Sequence, residues 1–289
     1  MAKIAVDYTS LHDHLAQTNE RGCQKSRFLA AGNGWSIYDV LCTAGPEDRA
    51  FEEQHSQVSI AVVLSGTFQY RTSTGRELMT PGSLLLGNPH ESFDCSHEHG
   101  VGDRCIAFRY SDEFCERSEI SPKQSFRIPR IPALRALSPL VAGVAMLLRN
   151  DFDPDLFQLT ALQVLNRATH MQSGLWSRDL SSSASSLARV TRVLREIEAH
   201  PENSHELSEL AASARLSPYH FLRCFEDLTG TTPHQYVLRT RLRRAAMRLK
   251  EETTKIIDIA LDCGFGDVSN FNHAFRAEFG KSPRSYRRI

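Results

Sequence analysis

Long hydrophobic runs are absent from this sequence. The most apolar stretch, Leu137 to Leu148, has only 12 residues and contains Pro139, whereas a membrane-spanning helix needs about 20 apolar residues. The first ten residues carry Lys3 and Asp7, and no apolar segment typical of a signal peptide follows them. We therefore expect no membrane partner and a cytoplasmic location.

Motifs of common enzymes are also missing. The sequence has no Gly-x-Ser-x-Gly nucleophile motif, no glycine-rich phosphate loop and no paired carboxylates with a spacing that suggests acid–base catalysis. The sequence has seven cysteines, an odd number, and no secretion signal. Both facts argue against a disulfide framework and for reduced thiols. These absences predict a protein that is not an enzyme.

An excess of charge of either sign is lacking as well, because 34 Lys and Arg residues balance 34 Asp and Glu residues. The balance shifts at the serine-rich stretch 181–186. Residues 187–289 hold 17 basic and 13 acidic side chains, and the preceding part holds 17 basic and 21 acidic ones. At 289 residues the chain is long for one domain. We predict two domains, 1–180 and 187–289, joined by a serine-rich linker at 181–186, with the basic domain suited to phosphates.

The C-terminal half contains an internal repeat with a shift of 50 positions. Five residues recur in the second copy: Phe221, Phe225, Gly230, Pro233 and Tyr236 correspond to Phe271, Phe275, Gly280, Pro283 and Tyr286. Solenoids need three or more units. Two copies therefore favour a duplicated small helical unit.

Each copy is predicted to be a helix, a tight turn and a second helix. In the first copy, Leu207, Leu210 and Ala211 have the spacing of one helix face. Ser217 and Pro218 are typical of a helix start. Gly230 is expected to end the second helix. The residues of that helix expected to face the core are Phe221, Cys224, Phe225 and Leu228.

The second copy follows the same plan. A first helix is expected at 256–261, a turn at 264–266, and a second helix that begins after Asp267 and stops at Gly280. Its expected inward residues are Phe271, Ala274, Phe275 and Phe279, and its outward residues are Val268, Ser269, Asn272, His273 and Arg276. Polar side chains of this kind on one exposed helix face can reach base edges in the major groove of DNA.

A single long helix is predicted between the copies, over Pro233 to Lys250. Apolar residues alternate there with five arginines, Arg239, Arg241, Arg243, Arg244 and Arg248. Those arginines form either a solvated helix face or, in part, a phosphate-binding surface.

This C-terminal region resembles the AraC/XylS family of bacterial transcriptional activators. The motifs that carry the resemblance include Leu207-x-x-Leu210-Ala211, Gly230-x-x-Pro233-x-x-Tyr236, Arg241-Leu242-x-x-Ala245, Cys263-Gly264-Phe265 and Ser282-Pro283. In that family two recognition helices enter successive major grooves. The resemblance therefore implies duplex DNA as a partner, RNA polymerase as a second partner if the protein is an activator, and base or phosphate contacts by Ser217, Tyr219, His220, Arg223, Ser269, Asn272, His273 and Arg276.

Two residues depart from the family pattern. Cys224 is a small thiol at an inward position, and His273 stands where an arginine is frequent.

The N-terminal half shows the pattern of short antiparallel strands. Val58 to Tyr70 is rich in β-branched and aromatic residues, a hairpin signal surrounds Gly75, and further strand patterns follow at 84–86 and 104–110. Gly66 and the Pro81-Gly82 turn resemble the cupin-type sensor barrels of the same family. The expected fold class is thus α+β multidomain, with an N-terminal cupin-like β-barrel and a C-terminal all-α double helix-turn-helix domain.

A helical hairpin is predicted to follow the barrel, at 133–149 and 155–171. Leu159, Leu162, Leu165 and Ala168 form its apolar stripe. The hairpin either packs on its own barrel or forms a homodimer, and the barrel is expected to bind a small-molecule or metal effector.

One group of residues in this half has metal-binding chemistry. Cys95, His97 and His99 share one face of an extended segment, and a glycine turn could return Cys105 beside them. Two thiolates and two imidazoles suit Zn²⁺, with Ni²⁺ or copper as alternatives, and His55 and His90 are further candidates. The alternatives are a polar loop without metal, a metal-dependent enzyme, and a redox or alkylation sensor that uses Cys95.

Overall fold

The computed structural model describes residues 22–97, 102–118, 126–148, 153–172 and 183–288. Within these ranges, two antiparallel sheets come first in the chain and helices follow. Residues 1–21 and the intervening gaps lie outside this description, and so does His99 of the predicted metal group.

The described strands form a six-stranded and a four-stranded sheet. The order in the larger sheet is β1-β2-β9-β4-β7-β10, and the order in the smaller one is β3-β8-β5-β6. The strand bounds are β1 Gln24–Gly32, β2 Trp35–Cys42, β3 Phe51–Gln54, β4 Val58–Gly66, β5 Phe68–Thr72, β6 Gly75–Met79, β7 Leu84–Gly87, β8 Ser92–Ser96, β9 Asp103–Tyr110 and β10 Arg130–Ile131. The predicted strands at 58–70, 84–86 and 104–110 are therefore confirmed.

Strand β4 contributes side chains to both faces of its sheet. Because successive side chains of a strand point to opposite sides, Ile60 and Val62 join a core shared with the helices. Ala61 and Val63 instead enter the interior between the sheets. Gly66 ends the strand with φ of 77°, and a Cβ there would lie 2.2 Å from the carbonyl oxygen of Gly102, so glycine is required.

Three helices of the N-terminal half are described: α1 Asp112–Arg117, α2 Ser138–Met146 and α3 Pro154–Gln172. The expected helix at 133–149 is shorter than predicted, because a 3₁₀ turn at Arg135–Leu137 precedes α2. Helix α3 packs on its own barrel through Phe157, Ala161 and Val164. The predicted stripe is partly wrong, since Leu165 and Ala168 are buried but Leu159 and Leu162 are exposed.

The described C-terminal helices are α4 Ala184–Ala199, α5 Leu207–Ser213, α6 Pro218–Thr229, α7 Pro233–Glu251, α8 Ile256–Asp262, α9 Val268–Phe279 and α10 Pro283–Arg288. Helix α4 begins inside the stretch predicted as a linker. The hydroxyl of Ser183 accepts a hydrogen bond from the backbone N–H of Ser186 and so caps the helix. The linker prediction is thus wrong for residues 183–186. Serine is frequent in flexible linkers, but it is also a preferred helix N-cap, and Ser183 is one.

Both helix-turn-helix units follow the predicted plan. Ser217 and Asp267 cap α6 and α9, and Gly230 and Gly280 end these helices in the left-handed conformation. One inward prediction is wrong: Leu207 is 38% exposed. It lies in the first turn of α5, and the buried residues of this helix are Leu210 and Ala211.

The two halves of the chain are in direct contact. The buried Arg130 of β10 donates one hydrogen bond to the carbonyl of Leu78 in the barrel and another to that of Leu228 in α6, each of 2.9 Å. Ser138, the first residue of α2, donates a hydrogen bond to Glu278 of α9. No described helix has both the length and the apolar character to cross a membrane.

Candidate DNA interface and buried cluster

Helix α6 separates an apolar inner face from a polar outer face. Phe221 and Phe225 are fully buried, and their ring centroids are 5.5 Å apart. On the opposite side, Tyr219 is 71% exposed, and His220 and Arg223 are exposed beside it. The helical period of 3.6 residues produces this division.

Helix α9 presents the same arrangement. Phe271 and Phe275 are fully buried, and Phe279 lies 4.5 Å from Phe275 between ring centroids. The predicted outward residues Ser269, Asn272, His273 and Arg276 are all exposed. The chain therefore carries two recognition-type helices, each backed by its own aromatic core.

Ser217 differs from the other predicted contact residues. Its hydroxyl oxygen accepts a hydrogen bond of 3.3 Å from the backbone N–H of His220, which fixes the start of α6. A hydroxyl still retains one O–H donor and a second lone pair. Ser217 is exposed, so it can cap the helix and meet DNA at the same time.

The arginines of this region fall into two groups. Within the described part of the chain, Arg223 and Arg276 make no ion pair or side-chain hydrogen bond. The arginines of α7 are all engaged, for example Arg244 with Glu202 at 2.8 Å and Arg248 with Glu252 at 2.7 Å. Arg241 donates to the carbonyls of residues 201 and 203. The prediction of a solvated arginine face on α7 is thus wrong, because these side chains tie α7 to its neighbours.

A buried polar cluster lies at one end of the barrel interior. Asp103 on β9 is paired in register with Cys42 on β2. The Nε2 atom of His97, just after β8, lies 2.6 Å from Asp103 Oδ1, and Cys105 Sγ donates a 3.3 Å hydrogen bond to Asp103 Oδ2. One ligand-type atom from each of Cys42, His97 and Asp103 lies within 4.8 Å of the other two.

Comparison with known families agrees with both halves of this description. A model of a helix-turn-helix domain matches residues 210–289, and a model of an AraC-like ligand-binding domain matches residues 40–217. The second match alone covers more than half of the chain. This chain belongs to the AraC family of transcriptional regulators.

Several relatives of this AraC-family chain are known. The "Probable transcriptional regulator LumQ" of Photobacterium leiognathi is 30% identical over 149 residues, which are 46% of this chain and 60% of LumQ. The HTH-type transcriptional activator RhaS of Klebsiella pneumoniae is 38% identical over 100 residues, which are 35% of this chain and 36% of RhaS. The chain thus spans less than two thirds of the length of these relatives.

Two solved structures are also similar to this chain. The DNA-binding domain of AdpA in complex with a target DNA is 29% identical, with 35% of this chain and 90% of that domain covered and a TM-score of 0.34. ToxT of Vibrio cholerae, solved with an unsaturated fatty acid, is 12% identical, with 89% and 96% covered and a TM-score of 0.35.

The structure places the predicted metal residues of this AraC-family barrel in different surroundings. Cys95 lies on β8 opposite Tyr70 of β5, and Cys105 contacts Asp103. His55 is stacked on Phe93 and lies 2.8 Å from the hydroxyl of Tyr70. His90 is exposed, with a positive φ of 61°. Of the predicted residues, His97 and Cys105 contact Asp103 in the buried cluster, and Cys95 packs against the same small core as Cys105.

Burial shifts several proton equilibria in this interior. Burial, and then the charge of Asp103, raises the pKa of Cys42 to about 12. Burial, followed by the same charge, raises the pKa of Cys95 and of Cys105 well above the usual range. Burial lowers the pKa of His55 to about 4. The interior therefore keeps its thiols protonated and His55 neutral near pH 7.

Sequence reasoning missed Cys42 and Asp103. Their proximity comes from the antiparallel pairing of β2 with β9, which joins residues 61 positions apart. The signal available in the sequence was the alternation of Trp35, Ile37 and Asp39, which predicts a strand and puts Cys42 on its opposite face.

Proposed function

We propose that this AraC-family chain is a sequence-specific DNA-binding transcriptional regulator. Helices α6 and α9 would enter two successive major grooves of one DNA face. The observation that carries this proposal is the pair of exposed polar helix faces, each placed by a cap, a glycine stop and an aromatic core. The free guanidinium groups of Arg223 and Arg276 support it, because arginine is the main partner of guanine edges and phosphates.

Individual roles follow from side-chain chemistry. Arg223 would donate two hydrogen bonds to a guanine edge, and the amide of Asn272 suits adenine in the same way. Arg276, in the last turns of α9, would bind phosphate. Base contacts provide discrimination, whereas phosphate contacts provide affinity that falls with salt.

Site selection from a random duplex pool with the full chain tests this proposal. Arg223→Ala and Asn272→Ala should each reduce discrimination between the selected site and random DNA by about 1 to 3 kcal/mol. Arg276→Ala should weaken binding to all sequences alike and lower the slope of log K against log[salt] by about 0.9. The matched control is Arg71→Ala, an exposed arginine on the barrel that pairs with Asp94.

The control variant should bind like the parental chain. A folded full chain that selects no duplex sequence at low salt would contradict the proposal. Equal losses in all four variants would contradict the assignment of α6 and α9 as the recognition helices.

The contacts between the two halves support regulation by an effector. From the N-terminal half, Arg130 donates a hydrogen bond to the end of α6. Ser138 and Arg135 donate to Glu278 and to the carbonyl of Ala277 in α9. A small-molecule or metal effector that changes the barrel would therefore act on both recognition helices. If the response is activation, RNA polymerase is the further partner.

We also propose that α3 mediates homodimer formation. Leu156, Leu159 and Leu162 are 40%, 53% and 37% exposed and follow each other at intervals of three residues. Leu159→Glu should convert a dimer of the full chain to a monomer in sedimentation velocity experiments, whereas Gln158→Glu, at the adjacent exposed position, should not. A monomeric parental chain or a dimeric Leu159→Glu variant would contradict this.

The structure weakens the alternative of thiol sensing through Cys95. A reactive cysteine needs a lowered pKa, but burial raises the pKa of this thiol. We accordingly assign no catalytic reaction and no redox reaction to the barrel.

A further inference from the structure

The buried cluster of Cys42, His97 and Asp103 combines three different kinds of metal ligand. Each of these residues is only 5% exposed. Cys42 and Asp103 belong to the six-stranded sheet, and His97 follows β8 of the four-stranded sheet. The cluster thus bridges the two sheets at one end of the barrel interior.

The electrostatics of this cluster favour a cation. The carboxylate of Asp103 is buried, and its direct partners are a histidine ring and a thiol. Burial, and then the charge of Asp103, raises the pKa of Cys42, whereas burial lowers the pKa of Arg195 in α4 and the charge of Asp103 only partly offsets that effect. A buried carboxylate is costly unless it is paired or coordinates a metal. A divalent ion would also favour the thiolate form of Cys42.

We propose that Cys42, His97 and Asp103 bind one divalent transition-metal ion of the zinc class. Thiolate sulfur, imidazole nitrogen and carboxylate oxygen are all zinc ligands, at about 2.0 to 2.3 Å. The ligand atoms already lie within 4.8 Å of each other, so shifts of about 1 Å would fit them around one ion, with His97 Nε2 and Asp103 Oδ1 moving slightly apart. The thiolate disfavours Mg²⁺ and Ca²⁺, which prefer oxygen ligands. Binding would release the thiol proton of Cys42 to solvent.

Two further contacts support this assignment. The Nε2 atom of His97 faces Asp103 Oδ1 and would exchange that hydrogen bond for the ion, while Nδ1, which is buried without a hydrogen-bond partner among the described residues, can carry the ring proton. Cys105 donates to the second oxygen of Asp103 and would orient that carboxylate, as outer partners of metal ligands commonly do. Cys105 is thus a positioning residue in this site.

A small cavity, about the size of one water molecule, lies beside His97. It lies between the barrel and α4, and its lining includes Gln69, Ser96, Leu187 and Thr191. The amide of Gln69 and the hydroxyl of Thr191 are buried without a hydrogen-bond partner in the described part of the chain. Three protein ligands leave a fourth position on tetrahedral zinc, which a water molecule would fill.

The site is next to the helix that begins the DNA-binding half. Arg195 of α4 donates a 3.3 Å hydrogen bond to Thr67 Oγ1, and Asp103 is its nearby negative charge. Metal binding would engage the Asp103 carboxylate and weaken its attraction for Arg195. This coupling rests on the proposed DNA-binding function, whereas metal binding itself does not.

Cobalt titration of the full chain tests the metal site directly. Protein stripped with a chelator and titrated with Co²⁺ should bind one equivalent and develop a thiolate-to-cobalt charge-transfer absorption, which Zn²⁺ then displaces. Cys42→Ser should abolish that absorption, and His97→Gln and Asp103→Asn should each lower zinc affinity by more than about 100-fold. Cys115→Ser, a buried cysteine of α1, is the matched control and should keep full binding.

The parental titration does not depend on whether variants fold. Absence of both the charge-transfer absorption and bound zinc in the folded parental chain would overturn the proposal. Full metal content in folded Cys42→Ser would overturn this ligand set. Cys95→Ser should leave binding unchanged, and loss of the absorption in that variant alone would instead support the ligand set predicted from sequence.

A DNA-binding measurement separates this inference from the proposed function. The metal-free and zinc-loaded chains should differ at least several-fold in affinity for a selected site, and Arg195→Gln should remove that difference. Equal affinities with zinc bound would overturn the coupling and leave the site intact. Loss of DNA binding in both forms would count against the regulator function but not against the metal site.

Discussion

Arg130 is the most informative position for testing how the two halves of the chain stabilise each other. Its side chain is 5% exposed, and its guanidinium lies 2.8 Å from the carboxylate of Glu77, whose side chain is 9% exposed. Arg130→Met would leave this carboxylate buried without its cation, at a cost of about 3 to 5 kcal/mol. It would also remove the donor to the carbonyls of Leu78 and Leu228, at about 1 to 3 kcal/mol for each group left buried and unpaired.

Protonation limits this loss. Burial already raises the pKa of Glu77, so the variant can neutralise the carboxyl group instead of burying a bare charge. We therefore expect a net loss of about 3 to 5 kcal/mol in the free energy of unfolding.

A double-mutant cycle measured by urea unfolding checks this expectation. Arg130→Met, Glu77→Gln and the double variant are compared at neutral pH, and the double variant should lose less than the sum of the single losses, because the two groups interact directly. Arg244→Met is the control, since its pair with Glu202 is exposed and should contribute about 1 kcal/mol or less. A loss below about 1 kcal/mol in Arg130→Met would refute the reasoning.

Two further predictions concern the barrel. Because the pKa of His55 falls to about 4 on folding, stability should be complete above pH 6.5 and fall between pH 6.5 and 4, by up to about 1.4 kcal/mol per pH unit. His55→Gln, which can still donate to Tyr70, should flatten this profile, and an unchanged profile would contradict it. Gly66→Ala should cost more than about 2 kcal/mol through its positive φ and its clash with Gly102, whereas Gly143→Ala, with open space around it, should be neutral or stabilising in thermal unfolding.

The helix-turn-helix units could be predicted from sequence because their boundaries depend on local chemistry. A serine before a proline starts α6, an aspartate starts α9, and a glycine with positive φ ends each helix. These signals act within a few residues of the position that they determine. The outward faces of both helices follow from the same boundaries.

The buried cluster could not be predicted in the same way. The sequence drew attention to Cys95, His97, His99 and Cys105 because they are close along the chain. The structure instead brings Cys42 to Asp103 through the pairing of β2 with β9. Strand pairing between distant segments depends on the whole sheet, and a shift of one residue would turn these side chains to the opposite face.

The arginines of α7 show a similar limit. Their spacing predicts an exposed charged face, yet the partners that bind them come from elsewhere in the fold. Arg241 meets the carbonyls that follow α4, and Arg243 pairs with Glu198. Helical periodicity identifies the side of α7 that is polar but not what packs against it.

The contact between residues 130–138 and both recognition helices matters for the construction of chimeric regulators. This short segment reaches the end of α6 through Arg130 and the end of α9 through Arg135 and Ser138. A chimera that joins a foreign sensor to this chain at residue 183 would lose all three contacts, although it keeps every residue that faces DNA. A junction placed before residue 130 would preserve them. The unit to be transplanted is therefore larger than the helix-turn-helix domain, and it includes the segment that contacts both recognition helices.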